Sequence, residues 1–180
     1  GLFLVHRLTR KMVKEMSDGK RVLNLFAYTG SFSVYAASGN ALKVTTVDLS
    51  RTYINWAKRN LTYNKLYDDT KHEFIQEDVL HYLKTIPPNA YDLIILDPPT
   101  FSNSKRMDDV FDIQRDYVAI INQCLTCLDE NGVLIFSTNY RGFEMDTEKI
   151  NSQKIKDITK QTTPFDFEGK LKRKCFRIDK

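Results

Sequence analysis

The segment with the most chemical information is a proline corner that directly follows an apolar run. Residues 93–96 are all Leu or Ile, as expected of a buried β-strand, and Asp97, Pro98, Pro99 and, one residue further, Phe101 come next. Proline has no N–H and a fixed φ, so the pair ends the strand and holds the carbonyls of this turn rigidly. A carboxylate beside rigid carbonyls and an aromatic ring predicts a pocket for a flat, polar ring.

Three further positions fall where other predicted strands end. Gly30 follows the first strand, Asp48 the second and Asp78 the third. Ligands of α/β sheets bind beyond the carboxyl ends of the strands, where a glycine lets the backbone approach them and a helix start offers N–H groups to an anion. Asp48 is placed to accept hydrogen bonds from the hydroxyls of a ribose. Asp78 is placed to accept one from an adenine amino group, with Val79 packed against the adenine ring. Each aspartate can instead simply cap the helix that follows it.

Hydrophobic periodicity predicts that strands and helices alternate along the chain. Thr29 and Ser31 are the expected caps of the second helix. The predicted strands span residues 21–26, 44–48, 72–76, 93–96 and 132–138, and the predicted helices span 3–16, 31–39, 51–63, 79–86 and 110–128. Alternation of this kind predicts an α/β fold with a parallel, doubly wound sheet, because the crossover helices must cover both faces.

The predicted adenosine site favours one cofactor over another. The dinucleotide fingerprint G-x-G-x-x-G is absent from residues 24–33, where Gly30 is the lone glycine, so a pyrophosphate would be poorly bound. S-adenosylmethionine has no phosphate and needs a ribose clamp, an adenine slot and a partner for its carboxylate. The strand ends can supply all of these, so S-adenosylmethionine is the expected cofactor.

Composition limits the class of protein. With 180 residues, of which 42% are apolar, the chain is long enough for one packed domain, and the net charge of +4 only slightly favours a polyanionic partner. Three cysteines, without a signal peptide or a long apolar stretch, favour a cytoplasmic protein that does not enter a membrane. The histidines are scattered, and Cys124 and Cys127 have no second pair, so no metal is expected.

Several motifs together resemble class I S-adenosylmethionine-dependent methyltransferases that act on large-subunit ribosomal RNA. They are residues 1–4, His6-Arg7, 24–30, 47–50, 97–107 and 141–143. Within this group, the chain resembles the carboxy-terminal, guanine-N7 half of the bifunctional 23S rRNA enzymes. The resemblance implies a Rossmann-like, mostly parallel sheet of about seven strands with helices on both faces. It also implies that residues 1–180 are a single methyltransferase domain, a fragment without the family's amino-terminal RNA-binding modules.

The resemblance assigns roles by position. The cofactor-binding residues are expected to be Asn24, Phe26, Tyr28, Gly30, Asp48, Leu49, Asp78 and Val79, and the substrate-facing, catalytic residues Asp97, Pro98 and Phe101. Lys105, Arg106 and Arg141 are expected to hold phosphates of the ribosomal RNA. Val5 stands where similar proteins carry an acid, which leaves the placement of Arg7 open.

The expected reaction is methylation of guanine N7. This nitrogen carries an in-plane lone pair and no proton, so its attack on the sulfonium methyl needs positioning rather than a general base. Asp97 would orient the guanine and Phe101 would stack on the extruded base. Two alternatives remain. One is methylation of cytosine C5, although the loop at 137–140 lacks the cysteine that similar enzymes use. The other is a non-catalytic RNA-binding domain with a methyltransferase fold. The sequence gives no indication of the oligomeric state.

Overall fold

The computed structural model describes residues 2–102, 111–152, 154–170 and 172–180. Its strands are β1 (Arg21–Leu25), β2 (Lys43–Asp48), β3 (His72–Gln76), β4 (Tyr91–Leu96), β5 (Phe101–Ser102), β6 (Phe111–Asp112), β7 (Leu128–Thr138), β8 (Lys154–Asp157) and β9 (Lys174–Asp179). Its α-helices are α1 (Arg7–Met16), α2 (Ser31–Ser38), α3 (Arg51–Tyr63), α4 (Val79–Leu83), α5 (Ile113–Cys127) and α6 (Thr159–Thr162).

The main sheet has seven strands in the order β3-β2-β1-β4-β7-β9-β8. Strands β1 to β4 and β7 pair in parallel, whereas β9 runs antiparallel to both β7 and β8. The order of the chain reverses at β1, which lies between β2 and β4, and such a reversal opens a crevice at the carboxyl ends of the strands. The predicted fold class, a mostly parallel Rossmann-like sheet of about seven strands, is confirmed.

Helices cover both faces of this sheet because successive strand side chains point to opposite sides. On one face, Ile94 and Leu96 of β4 belong to a buried apolar cluster that includes residues of α4 and α5. On the other face, Leu93 and Ile95 pack in a second cluster with residues of α1 and α2. The continuous apolar run of β4, rather than an alternating one, is what a strand buried on both faces requires.

Several element boundaries differ from the sequence prediction. The first helix opens with a 3-10 turn (Leu4–His6) before α1, and α4 ends at Leu83, three residues early. The N-cap of α2 is Gly30, with φ +72°, so the predicted capping by Thr29 or Ser31 is wrong. Strand β7 begins at Leu128, earlier than predicted, and β8 and β9 had no counterpart among the predicted strands.

Candidate active site

A cleft of about 360 Å³ opens at the carboxyl ends of β1 to β4. Parallel strands present these ends at one edge of the sheet, and the cleft lies at the reversal of strand order described above. Eight of the predicted site residues line it: Phe26, Tyr28, Asp48, Leu49, Asp78, Val79, Asp97 and Pro98. The expected gathering of the strand-end carboxylates around a common space is therefore observed.

The loop that follows β1 has an unusual backbone. Phe26 and Tyr28 both have φ +52°, and Gly30 has φ +72°. A left-handed conformation costs a bulky residue about 1–2 kcal/mol, and such strain concentrates at ligand sites. The Tyr28 ring is held between the rings of Phe3 and Tyr53, with centroid distances of 5.4 Å and 4.6 Å. The loop thus presents two aromatic side chains to the cleft in a braced geometry.

Asp48 stands at the end of β2 and organises the neighbouring loops. Its Oδ2 accepts the backbone N–H of Tyr28 and its Oδ1 that of Ser50, each at 2.8 Å. Burial raises the pKa of this carboxyl, while the two backbone hydrogen bonds act in the opposite direction. A carboxylate oxygen can accept two hydrogen bonds. Asp48 can therefore bind two donors of a ligand without releasing either loop.

Asp78 caps α4, as the alternative interpretation of this residue proposed. Its Oδ1 accepts the backbone N–H groups of Leu80 and His81, at 2.8 Å and 3.1 Å. Both bonds use the same oxygen, so the carboxylate can cap the helix and also turn its Oδ2 toward a ligand. Val79 is buried and borders the cleft beside it.

Asp97, at the tip of β4, is approached by two elements distant in sequence. Ser137 of β7 donates its hydroxyl to Asp97 Oδ1 at 2.5 Å. The Nε2 atom of His6 lies 3.4 Å from Oδ2, although the geometry is not that of a hydrogen bond. Burial lowers the pKa of His6, an effect that the Asp97 charge only partly offsets. Pro98 and Pro99 line the cleft directly beyond.

Two predicted cofactor residues lie outside the cleft lining. Asn24 is buried within β1, where its amide donates to Ser33 Oγ at 2.9 Å. Gly30 packs against α3, and a Cβ at Gly30 would lie 2.4 Å from that of Ala57. The missing side chain at Gly30 is therefore explained by helix packing and left-handed backbone, which the sequence pattern alone did not indicate.

The residues predicted to face RNA lie around the mouth. The Phe101 side chain is 60% exposed on β5, with its ring centroid 6.4 Å from that of Tyr140. Phe101 does not line the cleft itself, and Arg141 is exposed one residue beyond Tyr140. The predicted phosphate contacts Lys105 and Arg106 lie outside the described residues.

Sequence reasoning missed a wall of the cleft. Phe3, His6 and Arg10 line it from the amino-terminal helical segment. Their spacing of three and four residues places them on one helix face, a signal that could have indicated them. Arg7, whose placement was open, pairs instead with Asp166, with Nη1 at 3.0 Å from Oδ2. Val5, at the position where the resemblance leads one to expect an acid, is buried.

Among residues 2–102, 111–152, 154–170 and 172–180, no cluster of three or more His, Cys, Asp or Glu side chains could hold a metal. No helix in the same part of the chain combines the length and apolar character needed to cross a bilayer.

Comparison with known proteins shows the family of the chain. Residues 1–151 match the family model described as S-adenosylmethionine-dependent methyltransferase, and the chain belongs to that family. The predicted family and its cofactor are thus confirmed.

Similar proteins include ribosomal RNA large subunit methyltransferases. One, methyltransferase K of Neisseria meningitidis serogroup B, is 49% identical over 180 residues, covering 99% of this chain and 51% of the relative. Another, methyltransferase K/L of Shewanella oneidensis, is 53% identical over 169 residues, covering 93% of this chain and 24% of the relative. The chain thus spans about half of one relative's length and about a quarter of the other's.

Solved structures agree with the fold. The crystal structure of SMU.776, named as a methyltransferase complexed with SAH, superposes with a TM-score of 0.83 at 31% identity, covering 99% of this chain and 50% of that one. A SAM-dependent methyltransferase from Agrobacterium tumefaciens gives a TM-score of 0.78 at 22% identity, covering 99% and 63%. The second likeness concerns the fold alone.

Proposed function

We propose that this chain transfers a methyl group from S-adenosylmethionine to a base nitrogen of 23S ribosomal RNA, and that the nitrogen is N7 of a guanine. The observation that carries the proposal is the shared cleft, in which the carboxylates of Asp48 and Asp78 and the proline corner after Asp97 border one space. The names of the relatives, ribosomal RNA large subunit methyltransferases, support the choice of substrate.

In this proposal the adenosine lies over the tips of β2 and β3. Asp48 accepts the two ribose hydroxyls with the lone pairs that its backbone bonds leave, and Asp78 Oδ2 accepts from the adenine amino group. Leu49 and Val79, which border the cleft beside these carboxylates, pack on the ring. Phe26 and Tyr28 cover the cofactor, while Asn24 and Gly30 act indirectly, by shaping the loop and the helix that follow β1.

The base to be methylated enters beside the proline corner. Asp97, oriented by Ser137, accepts the N1–H or amino group of the guanine, and Pro98 limits how deep the ring can go. Phe101, exposed at the mouth beside Tyr140, stacks on the extruded base or its neighbour. Stacking contributes about 1–3 kcal/mol per base and offsets a similar cost of unstacking the target. Arg141, Lys105 and Arg106 are proposed to hold phosphates nearby.

Methylation of cytosine C5 is the weaker enzymatic alternative because it needs a thiolate. Cys175 is the cysteine that the fold brings toward the site, since it pairs in register with Ser137 of β7. It is fully buried, however, and burial raises the pKa of its thiol to about 11. Burial also raises the pKa of Cys127 to about 11 and that of Cys124 well above its usual value. A buried, protonated thiol cannot add to a pyrimidine.

The domain and its location are part of the proposal. Residues 1–180 are proposed to form one methyltransferase domain, since the helices of both layers pack on the same seven-stranded sheet. A ribosomal RNA substrate implies that the protein works in the cytoplasm, where that RNA is available.

The test is to locate the methyl group. The purified chain is incubated with unmodified 23S rRNA transcript and S-adenosylmethionine bearing a deuterated methyl, and the RNA is digested and analysed by mass spectrometry. The expected product is deuterated 7-methylguanosine, reduced at least 10-fold by Asp97→Asn. Asp92→Asn, which changes a carboxylate at the opposite end of β4, is the matched control.

Other outcomes separate the alternatives. Deuterated 5-methylcytidine would replace the nitrogen reaction by the cytosine one. Binding of S-adenosylmethionine without any labelled nucleoside would favour the non-catalytic domain. Equal yields from wild type and Asp97→Asn would remove Asp97 from the reaction.

A further inference from the structure

Among the described residues, the two most deeply buried arginines have no carboxylate partner. Arg10 is 2% exposed and Arg173 is 3% exposed. By contrast, partly exposed arginines such as Arg7 and Arg21 pair with aspartates. Burying a cation without an anion costs free energy, so each of the two exceptions needs an explanation.

Arg173 is explained by the fold. Its Nη1 donates to the Thr162 carbonyl and its Nη2 to the Thr9 hydroxyl, each at 2.9 Å. These bonds connect the segment before β9 with α6 and α1, and Arg173 does not border the cleft. Its role is structural.

Arg10 differs from Arg173 in its position. It lines the cleft, and its Nη1 donates to the Phe3 carbonyl at 2.8 Å. Its guanidinium carbon lies 5.5 Å from the centroid of the Tyr35 ring, and its Nε, like that of Arg173, is buried without a hydrogen-bond partner in the described structure. Burial lowers the pKa of the guanidinium, an effect that its interaction with the Tyr35 side chain opposes only in part. An anion entering the cleft would offset the cost of burying this cation.

The position of Arg10 identifies the anion. His6, four residues earlier, lies beside Asp97 at the tip of β4, on the other side of β1 from β2 and β3. The tips of β3 and β4 are three strand spacings apart, about 14 Å. With the adenosine over β2 and β3, as proposed above, His6, Arg10 and Asp97 border the part of the cleft that is left for the amino-acid arm. The anionic group of S-adenosylmethionine is the carboxylate of that arm.

We propose that Arg10 binds the carboxylate of the cofactor's amino-acid arm. The proposal deepens the proposed function and rests on the cofactor placement within it. The first residues of α2, Ser31 and Phe32, line the same cleft and can add backbone N–H groups to the same oxygens. Arg10 supplies the charge that a helix start alone supplies only in part. It is thus a specificity residue that separates the cofactor from nucleosides lacking an amino-acid arm.

The test compares two ligands that differ only in that arm. Calorimetry is performed with S-adenosylhomocysteine and with 5′-methylthioadenosine, which keeps the nucleoside and the thioether. Arg10→Gln should weaken binding of S-adenosylhomocysteine about 10- to 100-fold, as expected for loss of a charge-assisted bond. Binding of 5′-methylthioadenosine should change less than 2-fold, and Arg10→Lys should retain part of the affinity. Arg7→Gln, one turn away and facing Asp166, should affect neither ligand.

A second measurement needs no variant. Decarboxylated S-adenosylhomocysteine, which keeps the amine, should bind the wild-type protein at least 10-fold more weakly than S-adenosylhomocysteine. Equal affinity, or an equal loss of both ligands in Arg10→Gln, would overturn the role of Arg10 while leaving the proposed function intact. Failure of the wild-type protein to bind S-adenosylhomocysteine at all would overturn the cofactor placement as well.

Discussion

The sharpest prediction concerns removal of the Asp48 carboxylate. In the proposed complex, Asp48 accepts two ribose hydroxyls in addition to the backbone N–H groups of Tyr28 and Ser50. Charge-assisted hydrogen bonds contribute about 1.5–3 kcal/mol each. The lower value applies because each oxygen is already shared with a backbone donor. Two such bonds amount to about 3 kcal/mol, so Asp48→Ala should weaken S-adenosylhomocysteine binding about 100-fold.

The same change should also lower stability, and the two effects can be separated. Truncation leaves the N–H groups of Tyr28 and Ser50 without their acceptor, at about 1–3 kcal/mol for each group that water does not reach. Affinity is measured by calorimetry well below the unfolding midpoint, and stability by urea denaturation.

Asp68→Ala is the matched control. Asp68 also accepts a backbone N–H, that of Thr70 at 2.9 Å, but it lies before β3, at the amino ends of the strands and away from the cleft. It should leave cofactor affinity unchanged. Wild-type affinity in Asp48→Ala, or an equal loss in Asp68→Ala, would refute the assignment of Asp48 to the ribose.

Three further predictions follow from the geometry. In urea denaturation, Gly30→Ala should lower the stability of the protein more than Gly19→Ala does. Both glycines have positive φ, but only at Gly30 would the added Cβ lie 2.4 Å from the Cβ of Ala57. Equal losses of stability would mean that backbone strain alone matters. The pKa of His6 is lowered below its ordinary value of 6.5, so the unfolded state binds more protons than the folded state as the pH falls. The free energy of unfolding should therefore decrease as the pH drops below about 6.5, and His6→Asn should reduce this dependence. A pH series of unfolding midpoints checks both expectations. Phe101→Ala should weaken RNA binding by about 1–3 kcal/mol in fluorescence anisotropy and leave S-adenosylhomocysteine binding unchanged; unaltered RNA affinity would remove the ring from the interface.

Much of the cleft followed from local patterns. The apolar runs before Asp48 and Asp97 predicted strands, and the alternating helices predicted that these strands are parallel. Parallel strands end at one edge, so the carboxylates that follow them had to come together. No contact between distant residues was needed for this inference. The same reasoning predicts an adenosine site from the sequence alone.

Local patterns could not separate roles that use the same residue type. A strand-end aspartate that caps a helix and one that binds a ligand look alike in sequence, and Asp78 caps α4 in the structure. The glycine at position 30 is equally ambiguous. Its reason for lacking a side chain is Ala57, which belongs to another helix. Only packing between helices reveals which explanation applies.

By itself, the sequence determined the α/β class, the edge of the sheet that holds the site and the carboxylates that line it, because strand periodicity and chain direction are local properties. The tertiary structure alone decided that the amino-terminal segment forms one wall of the cleft and that His6 approaches Asp97. It also decided that Arg10 is buried beside the cleft without a carboxylate partner among the described residues. The support for that segment comes from the far end of the chain, through contacts such as Arg7 with Asp166 and Arg173 with Thr9. Pairings over such separations depend on how all the elements pack, which no short stretch of sequence specifies.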